Sequence, residues 1–159
     1  MIAEDIPNWL QAVVDRVNDV SGVYPDDKKA NHVLLNEYKP GQGIMPHVDG
    51  PLFYPTIATV SLGSHTLLDV YPKKRSGDDQ TTPSKEFSLL VEPGSLLVLK
   101  DHLYTSYLHG IEEVEADTVT SKVISPRDDL APGQVLPRST RVSLTIRHVP
   151  NTKKLKIRL

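Results

Sequence analysis

Thirteen prolines distributed over 159 residues set the first limit on what this chain can become. Proline has no amide hydrogen to donate and its ring clashes with the preceding helical turn, so a bundle of long helices is disfavoured. Between the prolines and nine glycines lie short apolar runs, and such runs bounded by turn residues read as strands. A hydrophobic fraction of 38% suffices for a buried core in one domain. Eighteen basic residues against 20 acidic ones leave no gross basic footprint for nucleic acid. Zero cysteines exclude disulfides, thiolate metal sites and a cysteine nucleophile. No stretch approaches membrane length. The expectation is a soluble, intracellular, mainly β domain.

One helix is legible. Trp9, Leu10, Val13, Val14 and Val17 recur at three- and four-residue spacing, with Asp5 placed to cap the start, Pro7 in the first turn and Gly22 beyond the end. Strands are expected over 31–38, 56–62, 66–71, 86–91, 95–100, 104–111 and 141–147. Gly63-Ser64 and Glu92-Pro93-Gly94 read as the turns of two hairpins. Residues 141–147 alternate without a fault: Val142, Leu144 and Ile146 on one face, Arg141, Ser143, Thr145 and Arg147 on the other, the pattern of a half-buried strand. The polar stretches 72–85 and 112–140 read as mobile loops. Short strands with Pro/Gly turns suggest a sandwich, a jelly roll or a barrel.

Chemistry points to few residues. Among six histidines only His47 has a carboxylate two residues on, Asp49, and on extended backbone such a pair shares one side. Chance produces such a pair about half the time at this composition, and a surface turn explains it as well. His109, mid-strand, can supply a third donor. Two imidazoles and one carboxylate leave an ion with open coordination positions, which suits non-haem Fe(II) and oxygen chemistry better than a closed structural zinc. Arg141 and Arg147 share one strand face about 20 Å apart and can close on a short dicarboxylate from its two ends. Two ordinary surface charges are the plainer account of them. Asn36 and Tyr38 share a strand face and can donate to carboxylate oxygens, where a turn-forming Asn and a half-buried Tyr are the plainer account.

In chain order these residues are Asn36-x-Tyr38, Gly41, His47-x-Asp49, His109 and Arg141-x5-Arg147. The set resembles the AlkB family of Fe(II)- and 2-oxoglutarate-dependent dioxygenases, and the resemblance covers nearly all of residues 31–150. It implies a double-stranded β-helix (jelly roll) with one N-terminal helix. It implies Fe(II) held by His47, Asp49 and His109, which would then be the catalytic centre, with 2-oxoglutarate and O2 as co-substrates. Arg141 would pair with the far carboxylate of 2-oxoglutarate, Tyr38 and Asn36 would lie near it, and Arg147 would sit by the metal-proximal carboxylate. Ser143, where several family members carry Asn, falls in the same co-substrate set. Family members couple conversion of 2-oxoglutarate to succinate and CO2 with hydroxylation of an N-methyl or similar C–H bond.

On this reading residues 1–30 form the helix and its connection, 31–150 the dioxygenase domain and 151–159 a basic tail. Only about thirty residues precede the first motif, which reads as an N-terminally short form without the family's nucleotide-recognition lid. The expected partners are 2-oxoglutarate and a nucleic acid, DNA or RNA, with no membrane. A monomer in cytoplasm and nucleus is expected. Two readings compete: a non-catalytic jelly-roll module that binds nucleic acid or protein, and a metal hydrolase, which leaves the arginine pair unused.

Overall fold

The computed structural model describes residues 5–20, 22–73 and 84–150. Helix α1 (Asn8–Asn18) is followed by β1 (His32–Tyr38), β2 (Ile44–His47), β3 (Thr56–Leu62), β4 (Thr66–Pro72), β5 (Phe87–Val91) and β6 (Leu96–Lys100). A short helix α2 (Asp101–Ser106) leads into β7 (Tyr107–Ile111). Then come β8 (Ala116–Thr118), β9 (Val123–Ile124), β10 (Val135–Pro137) and β11 (Arg141–Arg147). One sheet runs β1-β11-β3-β6, and the second runs β2-β7-β4-β5-β9. All of their pairings are antiparallel except β5 with β9. The eight long strands thus alternate between two facing sheets, apart from the adjacent pair β4 and β5. That winding is the double-stranded β-helix expected from the sequence, with one main helix at the N-terminal end.

The alternation corrects both expected hairpins. β3 and β4 flank Gly63-Ser64 but lie in different sheets, and β5 and β6 flank Glu92-Pro93-Gly94 in the same way. Gly63 and Gly94 do turn the chain, with φ of +82° and +78°. The turns carry the chain across the sandwich rather than back along the same sheet. A Cβ on Gly63 would stand 2.4 Å from the Thr140 carbonyl oxygen, so this turn is packed against the approach to β11. The antiparallel neighbours β4 and β5 are joined instead through the stretch that reads as a loop, of which 74–83 lie outside the described residues.

Three further expectations change. The strand expected over 104–111 begins only at Tyr107, because 104–106 complete α2, where the Thr105 hydroxyl donates to the Asp101 carbonyl at 3.0 Å. The stretch 112–140 contains β8, β9 and β10 rather than a mobile loop. α1 begins at Asn8 with Pro7 in the cap position and no side-chain cap, and Trp9 is exposed. The helix buries Leu10, Val14 and Val17 against Ala58, Leu144 and Ile146 on the outer face of the first sheet. Each fully buried Val or Ile contributes about 1.5–3 kcal/mol. The basic residues of 151–159 lie outside the described residues.

With α1 covering its apolar face, β11 cannot be half-buried as its alternation suggests. Arg141 and Arg147 are 5% and 8% exposed on the opposite face, between the sheets. The interior is therefore mixed: the apolar cluster of Leu68, Val91, Leu99 and Ile111 and the polar rows of β1 and β11 line one and the same cleft.

Outside the interior, a buried ion pair ties β8 to the approach of β11. Arg138 donates twice to Asp117, at 2.8 and 2.6 Å, and His65 Nε2 lies 3.4 Å from the same carboxylate. Burial works to raise the Asp117 carboxyl, but the hydrogen bonds from Arg138, with His65 beside them, outweigh it and hold it below the usual range. Stability from this pair is present above the unfolded value near pH 3.9 and is lost as pH falls through the lower folded value. Asp117→Asn leaves the guanidinium buried without its counter-charge and should cost about 3 kcal/mol near neutrality. Urea titrations at pH 7 and pH 3 should show this gap narrow at the acid end. An equal loss at both pH values would mean that only shape is disturbed.

Candidate metal and diacid site

Two sequence details bring the first histidine to its place. β2 pairs β7 with Ile44 opposite Ile111 and His47 opposite His109, so Met45 and Pro46 together face the single residue Gly110. This is a β-bulge. Pro46 has no amide to donate, and β2 is an edge strand, where proline is tolerated. Gly110 has no side chain, which admits the bulged backbone; a Cβ there would stand 2.9 Å from the Ile44 carbonyl oxygen and 3.0 Å from Pro46 N. Residues three apart on a regular strand face opposite sides. With the bulge, Ile44 and His47 both line the interior, as do His109 and Ile111.

The His47 and His109 ring centroids are 4.5 Å apart. Asp49, two residues beyond His47, places Oδ2 3.2 Å from His109 Nε2. One donor atom from each of His47, Asp49 and His109 lies within 4.8 Å of the others. Two donors held about 2.1 Å from one ion at a right angle stand about 3 Å apart, so these spacings fit a shared cation. The Met45 carbonyl lies 2.8 Å from His47 Nδ1. A carbonyl can only accept, so Nδ1 carries the proton and Nε2 keeps its lone pair free. The chain has no cysteine to offer a thiolate, and a donor set of two nitrogens and one oxygen with open positions suits Fe(II) and similar ions. Among the described residues this is the only such cluster. His65 and His148 are engaged elsewhere, at Asp117 and at the Lys29 carbonyl; His102 packs on Tyr107 and His32 on Phe53.

Arg147 NH2 donates to Asp49 Oδ1. Burial works to raise the Asp49 carboxyl, yet the His109 hydrogen bond and the Arg147 charge prevail and hold it low. The other arginine is different. Arg141 NH2 donates to Ser61 Oγ at 2.8 Å and its guanidinium lies 5.7 Å from the centre of the Tyr38 ring, but its Nε is buried without an acceptor. Among the described residues no carboxylate pairs with it. Burial pulls Arg141 below the ordinary arginine value, Tyr38 opposes that, and the Arg138 charge adds to it. A buried cation in this condition is costly unless an anion arrives.

Between the triad and Arg141 a cleft of about 620 Å³, open mouth included, separates the sheets. Cross-strand registers order its polar wall: Arg147 beside Ile57, Thr145 between Leu34 and Thr59, Ser143 between Asn36 and Ser61, and Arg141 beside Tyr38. All eight residues singled out by the sequence border this one cleft. The sequence reading missed Ser61 as the partner of Arg141, and Thr59 and Thr145 in the wall. The polar alternation Thr59-x-Ser61 was the available signal.

Residues 1–147 match the family model of the 2OG-Fe(II) oxygenase superfamily. The chain belongs to that superfamily, whose members use Fe(II), 2-oxoglutarate and O2, and the AlkB resemblance read from the motifs is borne out. It is 48% identical over 155 residues to the probable RNA/DNA demethylase ALKBH6 of Danio rerio, covering 94% of this chain and 65% of that protein. It is 31% identical over 150 residues to the uncharacterized protein L905 of Acanthamoeba polyphaga mimivirus, covering 93% of this chain and 62% of that one. The chain thus spans just under two-thirds of the length of these relatives. The solved structure of OsALKBH1 aligns with 88% of this chain and 61% of its own, at a TM-score of 0.48 and 19% identity.

The bulge makes a direct test possible. Gly110→Ala must push Ile44 and Pro46 away, moving His47 off His109 without touching a donor atom. Mn(II) affinity should fall at least tenfold while the circular dichroism spectrum stays that of the parent. Unchanged affinity would show that the bulge does not set the histidine spacing.

Proposed function

We infer that this chain carries the catalytic domain of an AlkB-type Fe(II)- and 2-oxoglutarate-dependent dioxygenase acting on methylated nucleic acid. One observation carries the reading: a His-Asp-His donor set and a buried arginine with an unpartnered Nε border the same cleft. The superfamily match and the zebrafish relative's description as a probable RNA/DNA demethylase support it.

In this reading His47, Asp49 and His109 hold the metal, and the distal carboxylate of 2-oxoglutarate meets the Arg141 fork. A guanidinium binds a carboxylate through two parallel hydrogen bonds, and burial strengthens both by removing competing water. The Tyr38 hydroxyl and Asn36 amide add donors beside it, and Ser143 completes that polar row. The hydrogen bond from Arg147 fixes the direction of Asp49, with one oxygen left toward the histidines. Leu34, Leu68, Val91 and Leu97 in the cleft wall exclude water from the space between. Iron bound there supplies the O2 activation that couples conversion of 2-oxoglutarate to succinate and CO2 with oxidation of an N-methyl C–H bond, the methyl carbon leaving as formaldehyde.

Succinate release from 2-oxoglutarate with Fe(II), measured with N-methylated DNA, N-methylated RNA and unmethylated controls, tests the activity and separates the two nucleic acids. No turnover and no formaldehyde with any of them would overturn it. His47→Ala or Asp49→Ala should remove most Mn(II) binding, since the remaining two donors cannot hold a well-hydrated ion. Arg141→Lys keeps the charge but loses the fork, so 2-oxoglutarate affinity should fall about 10- to 100-fold with the fold intact. Retained affinity in that variant would remove Arg141 from the co-substrate site.

A further inference from the structure

Among the described residues Arg147 has one hydrogen-bond partner at the site, Asp49, and its Nε is buried without an acceptor. A single ion pair leaves a guanidinium free to rotate about the bond it makes. What limits this one is an aromatic ring from outside the sheets. Phe53 lies in the connection between Asp49 and β3, and its ring centre is 4.6 Å from the Arg147 guanidinium carbon. His32, the cross-strand neighbour of Arg147, packs against the same ring at 5.8 Å between centroids, tilted 38°. Phe53 is therefore gripped between β1 and the end of β11.

The connection is itself anchored at both ends. The Tyr104 hydroxyl of α2 donates to the Gly50 carbonyl at 2.7 Å, and Tyr54 N donates to the His148 carbonyl at 2.9 Å. These bonds hold Phe53 in place from either side, one residue after Asp49 and one residue after Phe53. The same short stretch of chain thus delivers both the carboxylate and the ring that faces the carboxylate's partner.

We propose that Phe53 is a positioning residue: its π face holds the Arg147 guanidinium in the orientation that directs Asp49 toward His47 and His109. Desolvated cation–π pairs are among the stronger ones, because the ring replaces water at the cation's face. Losing the ring frees Arg147 to turn, and Asp49 loses its fixed direction with it. The role of Asp49 as a metal ligand rests on the function proposed above, whereas the coupling of Phe53 to Arg147 does not.

Two readouts test it. Phe53→Leu keeps apolar bulk but no π face, and Phe53→Tyr keeps both. Mn(II) affinity measured by calorimetry without O2 should fall about five- to tenfold in Phe53→Leu and stay within about twofold of the parent in Phe53→Tyr. A double-mutant cycle in urea, combining Phe53→Leu with Arg147→Gln, reads the contact without any metal. A coupling between the two positions is expected, and additive effects would overturn the proposal. Equal Mn(II) affinity in parent, Phe53→Leu and Phe53→Tyr would overturn it too, as would equal weakening in both variants, which would make Phe53 packing alone. If the parent binds no Mn(II), the iron reading fails, while the cycle still decides whether Phe53 holds Arg147.

Discussion

Two guanidinium groups on one face of a strand buried on both sides govern the architecture around them. α1 takes the apolar face of β11 through Leu144 and Ile146, which commits Arg141 and Arg147 to the space between the sheets. Charge is not tolerated in a packed apolar interior, so that space cannot close as an ordinary sandwich core. It holds a cleft instead, with a row of hydroxyl and amide side chains running along the wall between the two arginines. The apolar side chains of Leu68, Val91, Leu99 and Ile111 line the rest of that cleft's wall.

The two arginines resolve their burial in opposite ways. Arg147 meets a carboxylate from the same chain and an aromatic face, so its charge is compensated where it stands. Among the described residues Arg141 has a hydroxyl and a ring beside it, and neither carries a full negative charge. The polarity of the cleft therefore runs from a compensated end beside the metal donors to an uncompensated end. In the proposed reading a dicarboxylate that spans the two completes the electrostatics, and this asymmetry gives the cleft a direction for such a ligand. The donor cluster in turn depends on a backbone irregularity. Without the extra residue opposite Gly110, His47 would fall on the far side of β2 from Ile44, and no choice of rotamer would return it to the interior.

Much of this was legible in the sequence, and the failures have a common cause. The strands β1, β3 to β7 and β11, the helix and the spacing of Asn36, Tyr38, His47, Asp49, His109, Arg141 and Arg147 follow from local periodicity and motif order, whereas β2, which carries His47, and the short β8, β9 and β10 were not read. Turn residues at Gly63 and Gly94 were recognised for the same local reason. That the strands joined by these turns pair with each other was misread, because pairing partners are chosen by burial across the whole sandwich rather than by the turn. The exposure of Trp9 likewise depends on neighbours distant in sequence.

Local composition by itself determined a mainly β chain with one helix, a metal-capable His-x-Asp pair, and a strand with basic residues on one face. Alternation is a statement about two faces of one strand and contains no information on which face meets water. Only the tertiary structure decided that α1 covers the apolar face of β11, that the polar face turns inward, and that a bulge over Gly110 sets His47 beside His109. The reason is that burial and register are properties of pairs of elements, and no single segment carries them.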